Sequence, residues 1–110
     1  MPTFISYISY SQSGVQGLLK DPNDRAVALQ KLLEDAGGSV VAFYMTTGPN
    51  DVILISRMPD EGDAVAVGMA VSAAGSVSKV ETVRAWSSSE FVGVIRKASQ
   101  LVDAYTPPGG

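Results

Sequence analysis

Six side chains of this sequence have the chemistry to bind a small organic molecule. They are Tyr7, Tyr10, Tyr44, Asp51, Arg84 and Trp86. Arg84 and Trp86 lie two residues apart, so on a strand both side chains project from the same face. A guanidinium binds a carboxylate through two hydrogen bonds, and the indole would form an apolar wall beside it. If the protein has a small-molecule site, the spacing therefore predicts an acidic or carbonyl-bearing aromatic ligand on that face.

The same residues also have structural interpretations. Asp51 ends the turn at 48–51, where a carboxylate commonly accepts backbone N–H bonds, and we favour that role over ligand binding. Arg84 would equally suit an inter-subunit salt bridge or a solvated strand end, so its role stays open. The tyrosines are expected to be core or interface residues with the hydroxyl at the rim. The sequence identifies no set of catalytic residues.

The chain contains no cysteine and no histidine. Disulfides, thiolate zinc sites and a cysteine nucleophile are therefore excluded. A haem with a proximal histidine, a Ser-His-Asp triad and a two-histidine metal site are excluded as well. We predict that the protein needs no metal and no cofactor. Catalysis is disfavoured, because the remaining bases need strong pKa tuning to work near neutral pH.

The charge and hydropathy patterns bear on possible partners. The formal net charge is −3, and the eight basic residues are scattered rather than gathered into the basic stripe of a nucleic-acid surface. No stretch reaches the roughly 18 apolar residues of a membrane span. The first residues lack the basic and long apolar regions of a signal peptide. We expect a cytoplasmic protein that binds neither nucleic acid nor membranes.

Seven elements of secondary structure would position the candidate residues. A strand is predicted over 3–10 from its Ile, Tyr and Phe content, followed by a polar loop over 11–17. A helix then runs from an Asp21 cap to the glycines at 37 and 38. Hairpin strands are predicted over 40–46 and 52–57, then a helix capped by Asp60 and a strand over 77–86. Ser87 and Glu90 match a capping box that starts a final amphipathic helix.

This order, β-α-β-β-α-β-α, predicts an α+β fold of the ferredoxin-like βαββαβ type with an extra C-terminal helix. We expect one domain over 1–105 and a disordered tail over 106–110. Strict alternation in the first hairpin strand would place Val41, Phe43 and Met45 on one face. Both faces of the hairpin are largely apolar, which predicts that another subunit covers the second face. Gly68 lies within a helix of small side chains, which suggests that the backbone of this helix lies close to the sheet.

Several segments together resemble the GYD-domain proteins. They are DPNDR, LLEDAGGSVVAFYMTTGPNDV, AAGSV and ETVRAWS, and the resemblance covers roughly residues 1–92. That family is similar in fold to the dimeric α/β-barrel proteins, in which two ferredoxin-like sheets pair face to face. The resemblance implies a fold rather than a reaction. Gly48 and Asp51 keep the family pattern, whereas Asn50 stands where the family carries an aromatic residue.

Three functions remain as hypotheses. The leading one is a homo-oligomer, a homodimer or larger, that binds a small organic molecule between its sheet and a helix or partner. The second is a cofactor-independent oxygenase or isomerase of the dimeric α/β-barrel type, working through a tyrosine, Asp51 and Arg84. The third is a structural or regulatory assembly module. A closed pocket lined by Arg84, Trp86 and a tyrosine would favour the first two.

Overall fold

The structure is a computed structural model that describes residues 1–110 and contains one antiparallel sheet of four strands. The elements are β1 (Thr3–Tyr10), α1 (Gln12–Lys20), α2 (Arg25–Asp35), β2 (Ser39–Met45), β3 (Val52–Arg57), α3 (Glu61–Ala73), β4 (Val77–Ala85), α4 (Ser88–Leu101) and a 3-10 turn (Val102–Ala104). The strands lie in the order β2-β3-β1-β4. The predicted ferredoxin-like α+β fold with a C-terminal helix is confirmed.

Alternate residues of the two central strands point into a core beneath α2 and α3. Phe4 of β1 and Leu54 of β3 are buried there, together with Leu33 of α2 and Ala64 of α3. Because side chains alternate along a strand, the residues between them project from the opposite face of the sheet. We call that second surface the open sheet face. Cross-strand pairing places these residues on it: Ile5, Tyr7, Ala42, Tyr44, Ile53, Ile55 and Val83.

The predicted alternation along β2 is wrong at one residue. The register with β3 shifts between Val40 and Ala42, which is a β-bulge at Val41. Two residues of the bulged strand then oppose one on its partner, so the side-chain pattern slips. As a result Val40 and Phe43 both pack against the core, although strict alternation places them on opposite faces.

The predicted loop over 11–17 is helix α1 instead. Ser11 caps this helix by accepting the Gly14 N–H at 3.1 Å, and its own hydroxyl donates to the Gly75 carbonyl at 2.6 Å. Serines and glycines are weak helix formers, so tertiary contacts with the turn after α3 determine this helix. Because α1 extends through Lys20, the next helix begins after Asp24, which accepts the Ala26 N–H at 3.0 Å, and the predicted start at Asp21 is wrong.

The other predicted helix ends are confirmed. Gly37 has φ of 84° just after α2. Asp60 accepts the Asp63 N–H at 3.0 Å, and Ser87 and Glu90 exchange two hydrogen bonds of 3.1 Å each. The Ser87 hydroxyl and backbone N–H, by binding the carboxylate, lower the pKa of Glu90 below its usual value.

The glycine that lies closest to a neighbouring backbone is Gly14 in α1, not Gly68 in α3. The nearest atom to a Cβ added at Gly68 would be a Val80 methyl at 3.7 Å, an ordinary contact, so that prediction is wrong. A Cβ added at Gly14 would overlap the backbone carbonyl of Ser76. No helix of the structure is both long and apolar enough to cross a membrane.

We therefore expect opposite effects from two alanine substitutions within α1. Gly14→Ala should lower the free energy of unfolding by about 1–3 kcal/mol, because backbone atoms must move to admit the methyl group. Gly17→Ala meets no atom within 4 Å and should raise it by about 0.5–1 kcal/mol through reduced entropy of the unfolded chain. Urea unfolding of both variants measures this. Equal stability of the two would show that α1 does not dock on the Ser76 turn.

Candidate functional site

A cavity of about 250 Å³ lies between the sheet, α2 and α3. We call it the inter-helix cavity. Its walls are almost entirely apolar: Ile8, Ala28, Leu29, Leu32, Phe43, Val52, Ala70, Val71, Ala74 and Val77. The α3 wall consists of alanine and valine, and these short side chains leave the space that larger ones would fill. Apolar cavities with a few convergent polar groups are the usual form of a small-molecule site.

Three other residues stand at the mouth of this cavity. Tyr10, Arg25 and Ser76 line both the inter-helix cavity and an adjoining polar cleft of about 280 Å³. The Arg25 guanidinium donates a hydrogen bond to the Asn23 side-chain oxygen at 3.4 Å. The only ion pair in the structure joins Lys79 to Glu81 at 3.3 Å, so no carboxylate lies within 4 Å of the Arg25 guanidinium, although Asp21 lines the same polar cleft. A free guanidinium thus borders an apolar space.

The hydroxyl of Tyr10 remains protonated at neutral pH. Burial raises the pKa of Tyr10 above its ordinary value, the Arg25 guanidinium opposes this by lowering it, and the Asp51 carboxylate raises it further. A protonated phenol donates a hydrogen bond. The mouth of the cavity therefore presents a neutral donor and a fixed positive charge.

Asp51 stabilises the backbone of this region. Its carboxylate accepts the backbone N–H of Tyr10 at 2.8 Å, and its own N–H donates to the Ile8 carbonyl at 2.9 Å. The pairing of β1 with β4 shifts register between Ser9 and Tyr10, which takes the Tyr10 N–H out of the regular ladder. The Asp51 side chain supplies the acceptor that the ladder does not. It thereby fixes the end of β1 at the cavity mouth.

Arg84 and Trp86 lie at the opposite end of β1. Arg84 pairs across the sheet with Phe4, about 20 Å from Tyr10 along the strand. The Arg84 guanidinium donates to the carbonyls of Thr3, at 3.2 Å, and Ala85, and stacks over the Trp86 ring at 4.5 Å. The two side chains do meet, but backbone oxygens and rings already satisfy the cation. No tyrosine lies with them.

The six sequence candidates therefore occupy three separate places. Tyr10 is at the cavity mouth with Asp51 hydrogen-bonded to its backbone. Arg84 and Trp86 form a stacked pair at the far end of the sheet, and Tyr7 and Tyr44 lie on the open sheet face. Both of the latter pair across the sheet with Ile53. No group of three or more acidic side chains is placed to hold a metal ion.

Arg25 is the residue that sequence reasoning missed. It is the first residue of α2, directly after the Asp24 cap. A positive charge there opposes the helix dipole, which favours anions at that end. A cation at an unfavourable position was the available signal, and it was hidden because the helix was predicted to start earlier.

The fold and the cavity define a small ferredoxin-like domain with a solvent-accessible pocket between its sheet and two helices. A family model described as the GYD domain matches residues 4–95, and the chain belongs to the GYD family.

The "Glutamine synthetase and cystathionine beta-lyase binding protein" of Thermus thermophilus is 28% identical to it over 96 residues, which are 87% of this chain and all of that protein. The crystal structure of TTHA0845 from the same organism matches with a TM-score of 0.52 and 23% identity, over 78% of this chain and 94% of that one. The latter similarity supports the fold.

Removing the Asp51 carboxylate should destabilise the fold. Asp51→Ala leaves the part-buried Tyr10 N–H without an acceptor, and we expect a loss of about 1–2 kcal/mol in the free energy of unfolding. Asp51→Asn keeps a side-chain oxygen and should lose less. Thermal and urea unfolding of both variants check this order. Unchanged melting of Asp51→Ala together with lost ligand binding would instead assign Asp51 to a ligand.

Proposed function

We propose that this GYD protein is a homo-oligomeric binding protein whose subunit holds a small acid with an apolar body in the inter-helix cavity. The observation that carries the proposal is that the Arg25 guanidinium, with no carboxylate in ion-pair contact, lies at the mouth of an apolar space. The cavity walls would desolvate the ligand body, and Arg25 would bind its carboxylate through two hydrogen bonds. The Tyr10 hydroxyl would donate a third.

The cavity also suggests the size of the ligand. Sites for drug-sized molecules measure about 300–1,000 Å³, so a space of about 250 Å³ suits a smaller compound. Burial of apolar surface contributes about 25 cal/mol per Å². A single aromatic ring or short alkyl chain bearing one carboxylate matches both the volume and the charge. This is the ligand chemistry that the sequence suggested for Arg84, now assigned to Arg25.

Binding is better supported than catalysis. The only ionisable acid lining the inter-helix cavity is Tyr10, and burial raises its pKa, which makes it a poor general base near neutral pH. The name of the Thermus relative describes a protein that binds two enzymes. That name supports a binding module, for which a protein partner is the second candidate ligand. A cytoplasmic location stays a prediction.

The open sheet face supports the oligomeric part of the proposal. Ile5, Ile53 and Ile55 are adjacent across the central strands and are only partly buried, while α2 and α3 pack on the opposite face. A second sheet placed against these side chains would remove them from water. Sheets that pack face to face bury such a layer about 10 Å thick.

The charge of Arg25 should determine acid binding. We expect phenylacetate to bind and its neutral analogue phenylacetamide to bind more weakly, as measured by calorimetry or by amide chemical shifts at the cavity residues. Arg25→Ala should weaken phenylacetate binding by about 10–100-fold, the equivalent of a charged hydrogen bond. Arg96→Ala, which removes the same charge from α4, is the matched control. Equal losses in both variants would contradict a site at Arg25.

A charge placed on the open sheet face should separate the subunits. The protein is expected to have a mass above 11.5 kDa by light scattering, and Ile55→Lys should reduce it towards that monomer value. Val27→Lys, on the exposed surface of α2, should leave the mass unchanged. Circular dichroism of each variant verifies folding. A monomeric wild-type protein at micromolar concentration would refute the oligomer.

A further inference from the structure

The C-terminal helix has an apolar face that its own subunit leaves uncovered. None of the residues of α4 is buried, and the molecule is elongated, with extents of 60 × 32 × 23 Å. We call residues 88–104 the C-terminal arm. Its apolar stripe recurs at helical spacing: Phe91, Val94, Ile95, Ala98, Leu101 and Val102. Ile95 is 54% exposed and Leu101 is 63% exposed.

The accessible surface is larger than that of a compact monomer of this mass. It measures 7450 Å², whereas a compact monomer of this size exposes about 5,800 Å². The radius of gyration is 17.7 Å, against about 13 Å for a compact chain of this length. A standard protein–protein interface removes about 800 Å² from each partner. The excess, about 1,600 Å², therefore suffices for a large obligate interface.

A groove between α3 and β4 matches the arm in polarity. Its open volume is about 580 Å³, and small or apolar residues form most of it: Ala64, Val65, Gly68, Met69, Ala73 and Val80. No charged side chain lines it. Val65 and Met69 are 60% and 69% exposed. Large side chains on one helix interdigitate with small ones on the facing surface, so the stripe of the arm and this groove are complementary.

The connection between β4 and α4 keeps the arm away from its own groove. Only Trp86 and Ser87 separate the two elements. The Trp86 ring contacts the Arg84 guanidinium at 4.5 Å and packs edge to face with the Phe91 ring at 5.6 Å between centroids. The capping box at Ser87 and Glu90 fixes the first turn of the helix. These contacts set the direction in which the arm leaves the domain.

We propose that the C-terminal arm packs in trans, its apolar stripe seated in the α3–β4 groove of a second copy of this chain. The exchange is reciprocal in a two-fold assembly, because each copy offers one arm and one groove. Arg84 and Trp86 then act as positioning residues for assembly rather than as a ligand site. The inference shares with the proposed function only its need for a second copy, since the arm and the open sheet face are different surfaces.

Cross-linking can distinguish an arm in trans from an arm in cis, because the natural chain has no cysteine. In the full-length double variant Met69→Cys with Leu101→Cys, a short bismaleimide should join two chains, giving a dimer band on a denaturing gel. Met69→Cys with Gln100→Cys, which places the second thiol on the opposite face of α4, is the matched control and should cross-link poorly. A link within one chain, or equal yields from both variants, would overturn the proposal.

A charge in the apolar stripe gives an independent test. Ile95→Glu should raise the dissociation constant of the oligomer by about tenfold or more and increase amide exchange in α4, whereas Gln100→Glu should change neither. Equal behaviour of the two variants would refute the arm while leaving the sheet-mediated oligomer intact. If instead the arms cross-link between copies but Ile55→Lys keeps the oligomer, the sheet face is refuted and the arm stands.

Discussion

The structure depends on one constraint: a four-stranded sheet has two faces, and two helices cover only one. The two central strands therefore carry buried side chains on the covered face and partly accessible side chains on the other. Phe4 and Leu54 are buried beneath α2 and α3, while Ile5 and Ile55 project from the other face and remain partly accessible. Antiparallel sheets with a solvated face usually carry polar residues there. The centre of the second face is apolar, although Arg57, Lys79 and Glu81 also project from this face. The apolar centre favours a partner, and a second copy of the chain would supply one with no additional segment.

The inter-helix cavity exists because the side chains of α3 that face it are short. The wall that α3 contributes consists of Ala70, Val71 and Ala74, which are too short to fill the space above β1 and β2. Elsewhere beneath α3 the packing is close, because Leu33, Leu54 and Met58 meet there. Apolar walls that face water rather than other side chains lose favourable contacts. A ligand with an apolar body would restore those contacts, and Arg25 supplies the charge that would orient it.

Local patterns predicted most elements, and tertiary contacts account for the errors. The sequence predicted β1, the Asp60 cap and the capping box at Ser87 correctly. Each of these features depends on residues that are adjacent in the chain. Helix α1 does not, because its glycines and serines disfavour a helix and only docking on Ser76 and Gly75 compensates. The bulge at Val41 likewise arises from pairing with β3. Neither contact is visible in a window of local sequence.

Arg84 and Arg25 show why a residue type alone does not identify a site. Both were available to bind an acid, but Arg84 lies where the carbonyls of Thr3 and Ala85 and the ring of Trp86 already surround its guanidinium. Arg25 lies at the mouth of a cavity with only an asparagine oxygen nearby. A buried cation needs hydrogen-bond acceptors or an opposite charge nearby. At Arg84 the chain itself supplies the partners, and the resulting rigidity orients a helix. At Arg25 the chain places no carboxylate within ion-pair distance, so the guanidinium is accessible to solvent and to the ligand that we propose.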